Sequence, residues 1–271
     1  MTGAGGGLGR EHALLLAARG AYVVVNDLGV ALDGSSAERS AADAVVAEIA
    51  AAGGEAVANH DDVASAPGGE AVVQAAIDRF GRIDGVVNNA GILRDRSFHK
   101  MSAEEFDAVL KVHLYGSFNV TRAAMPHFRE QRYGRIVVTT SVTGLYGNFG
   151  QANYGAAKLG LVGLINTLAI EGRTRDVLAN AISPIATTRM SAAVLEQEFD
   201  PAYVSVLVAH LAGEDCTTSG EVIHAAGGRY ARVRYMEAKG AEFDAVPTVD
   251  QLAARWDEVM DMEGARLAAP A

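Results

Sequence analysis

A tyrosine and a lysine stand four residues apart at Tyr154 and Lys158, and Ser141 precedes the tyrosine by thirteen residues. Residues four apart on a helix share a face, so the Lys158 ammonium is expected beside the Tyr154 phenol. A tyrosine with a pKa of about 10 is a poor base at neutral pH, but a close positive charge favours the phenolate. The pair therefore predicts proton exchange with a substrate hydroxyl. The alternative is a plain helix start with an exposed lysine, because Tyr-x-x-x-Lys also arises by chance.

The elements around these residues are expected to bring them to one end of a sheet. Residues 136–140 have the pattern of a strand that ends just before Ser141, and residues 152–172 have the pattern of a helix. In open α/β folds, ligands bind at the carboxyl ends of the strands. An inward apolar stripe would hold the helix against the sheet through Leu161, Leu164, Ile165 and Leu168. Ser141, Tyr154 and Lys158 are then predicted to face one ligand crevice.

The N-terminal stretch TGAGGGLG precedes a helical pattern over residues 10–19. Its glycines would let the backbone approach a ligand, and the amides and dipole of the following helix favour an anion such as pyrophosphate. Residues 21–26 then form a buried-strand pattern that ends at Asp27. This spacing is that of a dinucleotide fingerprint, with Asp27 placed for the adenosine ribose hydroxyls. A carboxylate there repels a 2′-phosphate, so NAD is favoured over NADP; a plain glycine loop is the alternative.

One part of this fingerprint is missing from the sequence. A strand should lead into the glycines, but only Met1 precedes Thr2. In a doubly wound sheet that strand is central, so its absence would leave two neighbouring strands unpaired and one face of the core open. We therefore expect the native chain to carry about ten more residues before the fingerprint, enough for a strand of the usual length.

Strand and helix patterns alternate along the chain, which predicts an α/β fold with a doubly wound parallel sheet in one domain over residues 1–271. Helices are predicted at residues 36–53, 69–80, 102–132 and 152–172, and strands at residues 55–59, 83–88, 136–140, 177–183 and 221–225. Pro184 is expected to break the strand before it, and residues 221–225 to form the last strand. Residues 229–271 are predicted to form a C-terminal extension with one amphipathic helix, residues 248–262.

Composition excludes several classes of protein. The formal net charge of -10 argues against nucleic acid as a partner, because phosphate binding needs a broad basic surface. A single cysteine, Cys216, excludes an internal disulfide framework and disfavours a zinc cluster, so no metal site is predicted and a reducing, cytoplasmic setting fits. The longest apolar stretch, residues 159–170, is too short to cross a bilayer.

Four motifs in register resemble the short-chain dehydrogenase/reductase family. They are Thr2-Gly3-x-x-x-Gly7-x-Gly9, Asn88-Asn89-Ala90-Gly91, Ser141 and Tyr154-x-x-x-Lys158. Longer stretches, among them VVVNDLG, NNAGILRDRSF and YGNFGQANYGAAKLGL, are similar to a narrower group, the (3R)-hydroxyacyl-CoA dehydrogenase units of peroxisomal multifunctional enzymes of type 2. The resemblance covers nearly the whole chain and implies an NAD-dependent oxidoreductase of lipid metabolism and fatty acid beta-oxidation.

The resemblance also implies roles for individual residues. Tyr154 would be the general acid/base, Lys158 would lower its pKa and hold the nicotinamide ribose, and Ser141 would hydrogen-bond the substrate oxygen. Besides Tyr154 and Lys158, the expected NAD contacts are Gly3, Gly7, Leu8, Gly9, Asp27, Asp62, Val63, Asn89, Ala186, Thr187, Thr188 and Arg189. One position departs from the wider family, whose helix asparagine is His113 here. This histidine either takes part in the proton relay or packs beside the lysine helix.

The favoured hypothesis is oxidation of a (3R)-hydroxyacyl-CoA to the 3-oxoacyl-CoA. One alternative is a hydroxysteroid or steroid side-chain CoA dehydrogenase, and another is a catalytically silent binding protein on the same fold. The family implies a homodimer formed through the helices that begin near Ser102 and Ala152. Arg229, Arg232 and Arg234 either form a solvated surface or contact the phosphates of a coenzyme A substrate.

Overall fold

The computed structural model describes residues 1–29, 40–187 and 199–268. They fall into two compact units, Met1–Ala231 and Arg232–Ala271. The first unit holds the sheet and the helices around it. The second contains a short antiparallel pair of strands and two short helices. The organisation expected from the sequence, one domain with an extension from residue 229, stays a prediction.

Parallel strands form the centre of the first unit. Two of them, β1 and β2, pair with each other in parallel, and five more follow in the order β3-β4-β5-β6-β7, with parallel pairing from β3 to β6. These strands are β1 (Val23–Asn26), β2 (Ala56–Asn59), β3 (Gly85–Asn88), β4 (Gly134–Thr139), β5 (Val177–Ile185), β6 (Val222–Ala226) and β7 (Arg229–Val233), of which the first three residues of β7 belong to the first unit. The predicted α/β fold with a mostly parallel sheet is confirmed.

Helices cover this sheet on both faces. On one face α1 packs against α2 and α8, and on the other α3 packs against α5 while α7 packs against β4 and β5. The helices are α1 (Gly7–Ala18), α2 (Ser40–Ala51), α3 (Ala66–Phe80), α4 (Ala103–Leu110), α5 (Gly116–Gln131), α6 (Val142–Tyr146), α7 (Ala152–Gly172) and α8 (Ala202–Ala212). The near-continuous apolar runs of the strands follow from this double cover, because both faces of each strand are buried.

A gap separates β1 from β3. Within the described residues only Thr2 joins the two sides, through isolated parallel bridges to Asn26 and Asn88. Behind Thr2, toward the amino ends of the strands, lies a groove of about 610 Å³ between Val24 of β1 and Val86 of β3. We call it the strand groove. This arrangement agrees with the unpaired neighbours and open core face expected from the sequence; the longer native chain stays a prediction.

Several boundaries differ from those predicted. Pro184 does not break β5, which runs on to Ile185. β4 ends opposite Ile182, so the last residues of β5 pair with β6 alone. The N–H that Pro184 lacks would lie on the side away from β6, where its loss costs little. Residues 221–225 are not the last strand, because β7 follows, and then β8 (Met236–Glu237) and β9 (Arg266–Leu267).

The predicted tail helix over residues 248–262 is two short helices instead, α9 (Val249–Ala254) and α10 (Trp256–Met260). Arg255 separates them, and a capping box at Thr248 begins the first. The long helix predicted from Ser102 is also subdivided: one turn of π-helix, Lys111–Tyr115, joins α4 to α5. Across the described ranges, no helix combines the length and apolarity that crossing a membrane requires.

Candidate active site

A crevice of about 440 Å³ opens at the carboxyl ends of β1, β3, β4 and β5. The polypeptide brings most of the predicted site residues to its walls. They are Gly3, Gly7, Leu8, Asp27, Asp62, Val63, Asn89, His113, Ser141, Tyr154, Lys158 and Ala186. Gly9 lies behind the wall, in the first turn of α1, where it is buried. Residues scattered over the sequence therefore converge on one concave site, as parallel strands predict.

Ser141 and Tyr154 come from elements that begin where β4 ends. Ser141 is the N-cap of α6, and its Oγ accepts a hydrogen bond from the Thr143 amide at 3.1 Å. Tyr154 lies in the first turn of α7, partly buried, with its phenol within hydrogen-bonding reach of Ser141. The two hydroxyls thus form a pair that can share a proton or contact one substrate oxygen together.

Lys158 is almost fully buried, one turn after Tyr154 on α7. Its Nζ donates to the Thr139 carbonyl at 2.5 Å and lies 5.4 Å from the centre of the Tyr154 ring. The Thr140 hydroxyl donates to the backbone carbonyl of Lys158 at 2.7 Å, so the lysine is held at both ends. Burial lowers the pKa of Lys158 to about 7, because a charged ammonium is costly away from water.

The pKa of Tyr154 differs from the sequence expectation. Burial raises it above the ordinary value, the hydrogen bond to Ser141 lowers it in part, and the charge of Asp95 raises it further. The expected lowering by Lys158 is wrong for this arrangement, because the lysine is itself only partly charged near pH 7 and its Nζ binds a backbone carbonyl. At neutral pH Tyr154 is therefore a neutral phenol, ready to donate a proton to an oxygen atom.

His113 is buried in the π-helical turn, which turns its ring toward the site. Its Nε2 lies 2.9 Å from the Ile92 carbonyl oxygen and 3.1 Å from the Ile92 amide nitrogen, and its ring meets Tyr154 edge-on at 5.2 Å. A Cβ on Gly91 would overlap the imidazole, so the glycine of the NNAG motif makes room for it. Burial and the charge of Lys158 hold the pKa of His113 well below its usual range, which keeps the ring neutral.

The glycine turn fits a dinucleotide pyrophosphate. Gly3 has a φ of 61°, and a Cβ there would lie 2.6 Å from the Ala90 Cα. Asp27 pins the turn from the end of β1, since its carboxylate accepts the Gly5 amide at 2.8 Å and the Gly29 amide at 2.7 Å. Backbone amides at the start of α1 and the helix dipole then favour an anion in this turn. A Cβ at Gly3 would overlap the Asn89-Ala90 backbone, so glycine is needed for the turn to lie against this wall.

Beyond Asp27 the crevice is acidic. Asp61 and Asp62 line it next to Asp27, followed by Val63, whose carbonyl accepts a hydrogen bond from Asn119 at 2.9 Å. On the opposite wall Asn89 is tied to the glycine turn: its side chain donates to the Gly3 carbonyl and its amide to the Thr2 hydroxyl, both at 3.1 Å. The two walls are thus linked through backbone groups of the fingerprint.

A few expectations fall outside this arrangement. Thr187 does not line the crevice; its hydroxyl accepts a hydrogen bond from the Phe199 amide at 2.8 Å. Thr188 and Arg189 lie outside the described residues. Arg232 and Arg234 belong to the second compact unit, so their contact with substrate phosphates stays a prediction.

Sequence reasoning missed a group of amides around Tyr154. Gln151 accepts hydrogen bonds from the Thr143 hydroxyl and from Asn148, both at 3.0 Å, and donates to Asp95 at 2.7 Å. Asn153 is fully buried beside the tyrosine. The signal was available, because Asn148, Gln151 and Asn153 lie within or near the motif that contains Tyr154. Their hydrogen bonds depend on how the loops that contain them pack together.

Comparisons with known proteins agree with this geometry. A family model described as "short chain dehydrogenase" matches residues 1–198. A Mycobacterium tuberculosis protein named for the short-chain type dehydrogenases/reductases is 57% identical over 272 residues, covering 99% of this chain and 95% of its own length. Peroxisomal multifunctional enzyme type 2 of Mus musculus is 49% identical over 272 residues, 98% of this chain and 37% of the enzyme.

Among solved structures, full-length peroxisomal multifunctional enzyme type 2 from Drosophila melanogaster superposes with a TM-score of 0.82 and 42% identity. The match covers 99% of this chain and 46% of that one. The chain therefore spans less than half of each of these two multifunctional enzymes, although it spans nearly all of the mycobacterial relative. The family match covers most of the chain, and the site has the matching residues: this protein belongs to the short chain dehydrogenase family and is an oxidoreductase that acts on a CH–OH group.

Proposed function

We propose that this protein oxidises a (3R)-hydroxyacyl-CoA to the 3-oxoacyl-CoA, with NAD as the hydride acceptor. The observation that carries the proposal is the convergence of Ser141, Tyr154 and Lys158 on a crevice whose far end is the Asp27 glycine turn. A hydroxyl bound beside Tyr154 would lie next to a phenol that accepts its proton once ionised, and within the same cavity as the dinucleotide. This placement is what removal of one hydride and one proton from a CH–OH group requires.

Three side chains would carry the proton chemistry. Tyr154 takes the hydroxyl proton, and Ser141 donates a hydrogen bond to the substrate oxygen and keeps it aligned with the phenol. Lys158 would hold the ribose hydroxyls through its side-chain nitrogen, which is only partly charged near pH 7. When bound, the oxidised nicotinamide supplies the hydride acceptor and a further positive charge. Because burial raises the pKa of Tyr154, oxidation is expected to speed up as the pH rises toward that pKa, and the reverse reduction to slow down.

His113 would extend the proton relay from Tyr154 and Lys158 toward the protein interior. Its Nδ1 is buried without a hydrogen-bond partner in the structure, while Nε2 is held by the backbone of Ile92. A neutral imidazole can accept a hydrogen bond at this free Nδ1 from a donor near Lys158, and in this way take part in a proton relay. Packing beside α7 is the alternative, and the ring contact with Tyr154 is compatible with both.

NAD, rather than NADP, is supported by charge. Members of this family use a nicotinamide dinucleotide, and here three carboxylates, Asp27, Asp61 and Asp62, line the adenosine end. A 2′-phosphate placed among them would be repelled and would find no arginine on this wall in the described lining. NAD is therefore proposed as the cofactor.

The acyl-CoA substrate rests on the sequence resemblance to the dehydrogenase units of multifunctional enzymes. A steroid alcohol or a steroid CoA ester is the other candidate of the same reaction class. Turnover should be measured across straight-chain (3R)-hydroxyacyl-CoA lengths, a 17-hydroxysteroid and a steroid side-chain CoA ester. Faster turnover of the steroid substrates would overturn the fatty acyl assignment while leaving the reaction type intact.

The catalytic assignment is tested by Tyr154→Phe, with Tyr146→Phe as the matched control because Tyr146 is 74% exposed on the neighbouring helix. Loss of general acid/base catalysis is expected to lower NADH formation by about 10²–10⁴-fold. The control should retain its rate. Near-normal turnover by Tyr154→Phe would sink the mechanism.

A catalytically silent protein would bind NAD without turning over any hydroxyacyl-CoA or steroid alcohol. The open strand groove behind the glycine turn is the feature that favours this alternative. Titration with NAD, followed by intrinsic fluorescence, measures the fingerprint separately from turnover. Micromolar binding with no NADH formation would favour it over the dehydrogenase.

We also propose that two copies associate as a homodimer in the cytoplasm. Large apolar side chains are exposed on the helices expected at that interface; they are Tyr115 and Phe118 at the start of α5, and Leu159 and Ile170 on α7. Sedimentation velocity measures the state directly. A monomer at micromolar concentration would contradict the proposal. The single cysteine fits a reducing compartment.

A further inference from the structure

Asn153 holds three segments of the site together through one buried amide. Its side chain is fully enclosed. Its Oδ1 accepts the backbone N–H of Tyr154 at 2.8 Å, and its Nδ2 donates to the Arg94 carbonyl at 2.9 Å and to the Glu105 carbonyl at 3.1 Å. The amide thus uses both N–H donors and its oxygen. It connects α7 to α4 and to the segment after β3.

The first turn of α7 needs this acceptor. The first N–H groups of a helix have no partner within the helix, and an N-cap side chain usually supplies one. Here the N-cap is Gln151, whose side chain makes no capping hydrogen bond because it is directed to Thr143, Asn148 and Asp95. Asn153 instead satisfies the Tyr154 amide from within the turn.

Tyr154 and Lys158 are anchored separately. Lys158 is held by Thr139 and Thr140, at the end of β4. The backbone of Tyr154 is held by Asn153, against Arg94 and Glu105. Displacement of the first turn of α7 would therefore move the phenol relative to Ser141 and leave the ammonium in place.

We propose that Asn153 is a positioning residue that sets the distance of the Tyr154 phenol from Ser141 and from the reacting hydroxyl. The inference rests on the proposed dehydrogenase function, because it assigns Asn153 its effect through Tyr154. Asn153 does not contact the reacting atoms in this arrangement; it acts through the backbone of its neighbour.

The test compares Asn153→Ala with Asn180→Ala. Asn180 is an equally buried asparagine away from the crevice, with Nδ2 on the Thr218 carbonyl at 2.6 Å and Oδ1 on the Glu221 amide at 3.2 Å. Asn153→Ala is expected to lower kcat by about 10- to 100-fold, since a shift of about 1 Å in a reacting group costs that much. The KM for NAD should stay within about twofold, because Asp27 and the glycine turn are untouched. Asn180→Ala should keep its kcat within about twofold of the parent.

Asn153→Ser is the milder variant if Asn153→Ala does not fold, and its kcat is expected to lie between those of the parent and the alanine variant. A kcat within twofold of the parent in a folded Asn153 variant overturns the proposal. An equal fall in Asn180→Ala does so too, because the effect would then come from lost stability alone.

A second readout separates this proposal from the function proposed above. In protein labelled with ¹³C at the tyrosine ring, the Tyr154 resonance is assigned by its loss in Tyr154→Phe. It should shift in Asn153→Ala and stay in place in Asn180→Ala, whether or not the protein turns over a hydroxyacyl-CoA. If the parent is inactive but the Tyr154 resonance shifts in Asn153→Ala, the substrate assignment is removed and the positioning role is supported. An unchanged resonance would remove the positioning role.

Discussion

The carboxyl and amino ends of the sheet differ in the side chains that line them and in their hydrogen bonding. At the carboxyl end, polar groups from β1, β3, β4 and α7 meet in a crevice of about 440 Å³ and hold one another through short hydrogen bonds. At the amino end, the strand groove of about 610 Å³ runs between β1 and β3 and is lined largely by apolar side chains. These include Leu16, Val24, Val72, Val73, Ala76, Val86 and Val120.

This difference shows that the crevice is organised locally. Its glycines, amides and hydroxyls are held by hydrogen bonds to neighbouring groups, although the strands behind it are not fully paired. The strand groove exposes backbone edges and apolar surface instead, which is where stability is lost. Substitutions in the crevice should therefore lower binding and activity, whereas changes in the groove should alter stability.

Gly9→Ala should have the largest effect. A Cβ at Gly9 would overlap the Gly3 carbonyl oxygen and lie 2.7 Å from the Asn89 Nδ2, and the backbone of the turn cannot move away without losing its shape. We expect NAD affinity to fall by at least about 100-fold and the free energy of unfolding by about 3 kcal/mol. Isothermal titration with NAD and urea unfolding measure the two effects.

Gly163→Ala is the matched control for NAD affinity; Gly163 lies between Leu159 and Ile170 on the face proposed for the homodimer, so the stability of this variant is compared at equal association state. Its Cβ would meet no atom within 4 Å on the exposed side of α7. Alanine is favoured over glycine in a helix by about 1 kcal/mol, so this variant should be slightly more stable with unchanged NAD affinity. Equal NAD affinity in the two variants would mean that the glycine turn does not hold the dinucleotide.

A valine-rich extension of five residues joined to the amino end of Met1 tests whether the strand groove can accept a strand. In the strand groove, each buried side chain would contribute about 1.5–3 kcal/mol against a backbone entropy of about 1–2 kcal/mol per residue. A net gain of about 2–4 kcal/mol in the free energy of unfolding is expected, with little change in kcat. A glycine- and serine-rich extension of the same length is the control, and equal urea midpoints for the two would show that the groove does not accept a strand.

The same variant should change the pH dependence of stability. The α-amino group of Met1 is buried, donates to the Val24 carbonyl at 2.8 Å, and has its pKa lowered by burial from 8.0 to about 5. Between these values the unfolded chain binds more protons, so the parent should lose stability as the pH falls from 8 to 5, by at most about 1.4 kcal/mol per pH unit. In the extended variant this nitrogen is an amide, so its stability should lack that slope, and the difference in stability between the two proteins should change with pH between 8 and 5.

Hydrophobic runs and glycine turns predicted the parallel sheet. Fixed spacings predicted that Asp27, Ser141 and Lys158 would face one crevice, because Asp27 and Ser141 each follow a strand and Lys158 lies in the first turns of a helix. The spacing could not show that Lys158 would turn to the Thr139 carbonyl, or that burial would raise the pKa of Tyr154. Both depend on how tightly separate elements pack.

Other differences have a similar origin. Pro184 was expected to end β5, but strand order decides whether its missing N–H matters, and strand order is not visible in local patterns. The π-helical turn at His113 and the buried amide of Asn153 likewise result from contacts between α4, α7 and the segment after β3. Local propensity predicts helices there and gives no signal for a single turn of different pitch.

The smallest effect is expected at the junction of the two ends. Thr2 is bridged to both Asn26 and Asn88, and its hydroxyl accepts the amides of Asn89 and Ala90 at 3.1 Å each. Thr2→Val keeps the shape and removes the acceptor, so two amides at the crevice lose their partner, at a cost of about 1–2 kcal/mol in the free energy of unfolding. Thr2→Ser keeps the hydroxyl and is the control.

Urea unfolding and NAD titration of both variants locate the effect. If the crevice is organised locally, Thr2→Val should weaken NAD binding by a few-fold through the Asn89 wall, and Thr2→Ser should bind as the parent does. If Thr2→Val lost stability without any change in NAD affinity, the hydroxyl would serve only to join β1 and β3. The junction would then belong to the strand groove, and the two ends of the sheet would be more separate than their shared residue suggests.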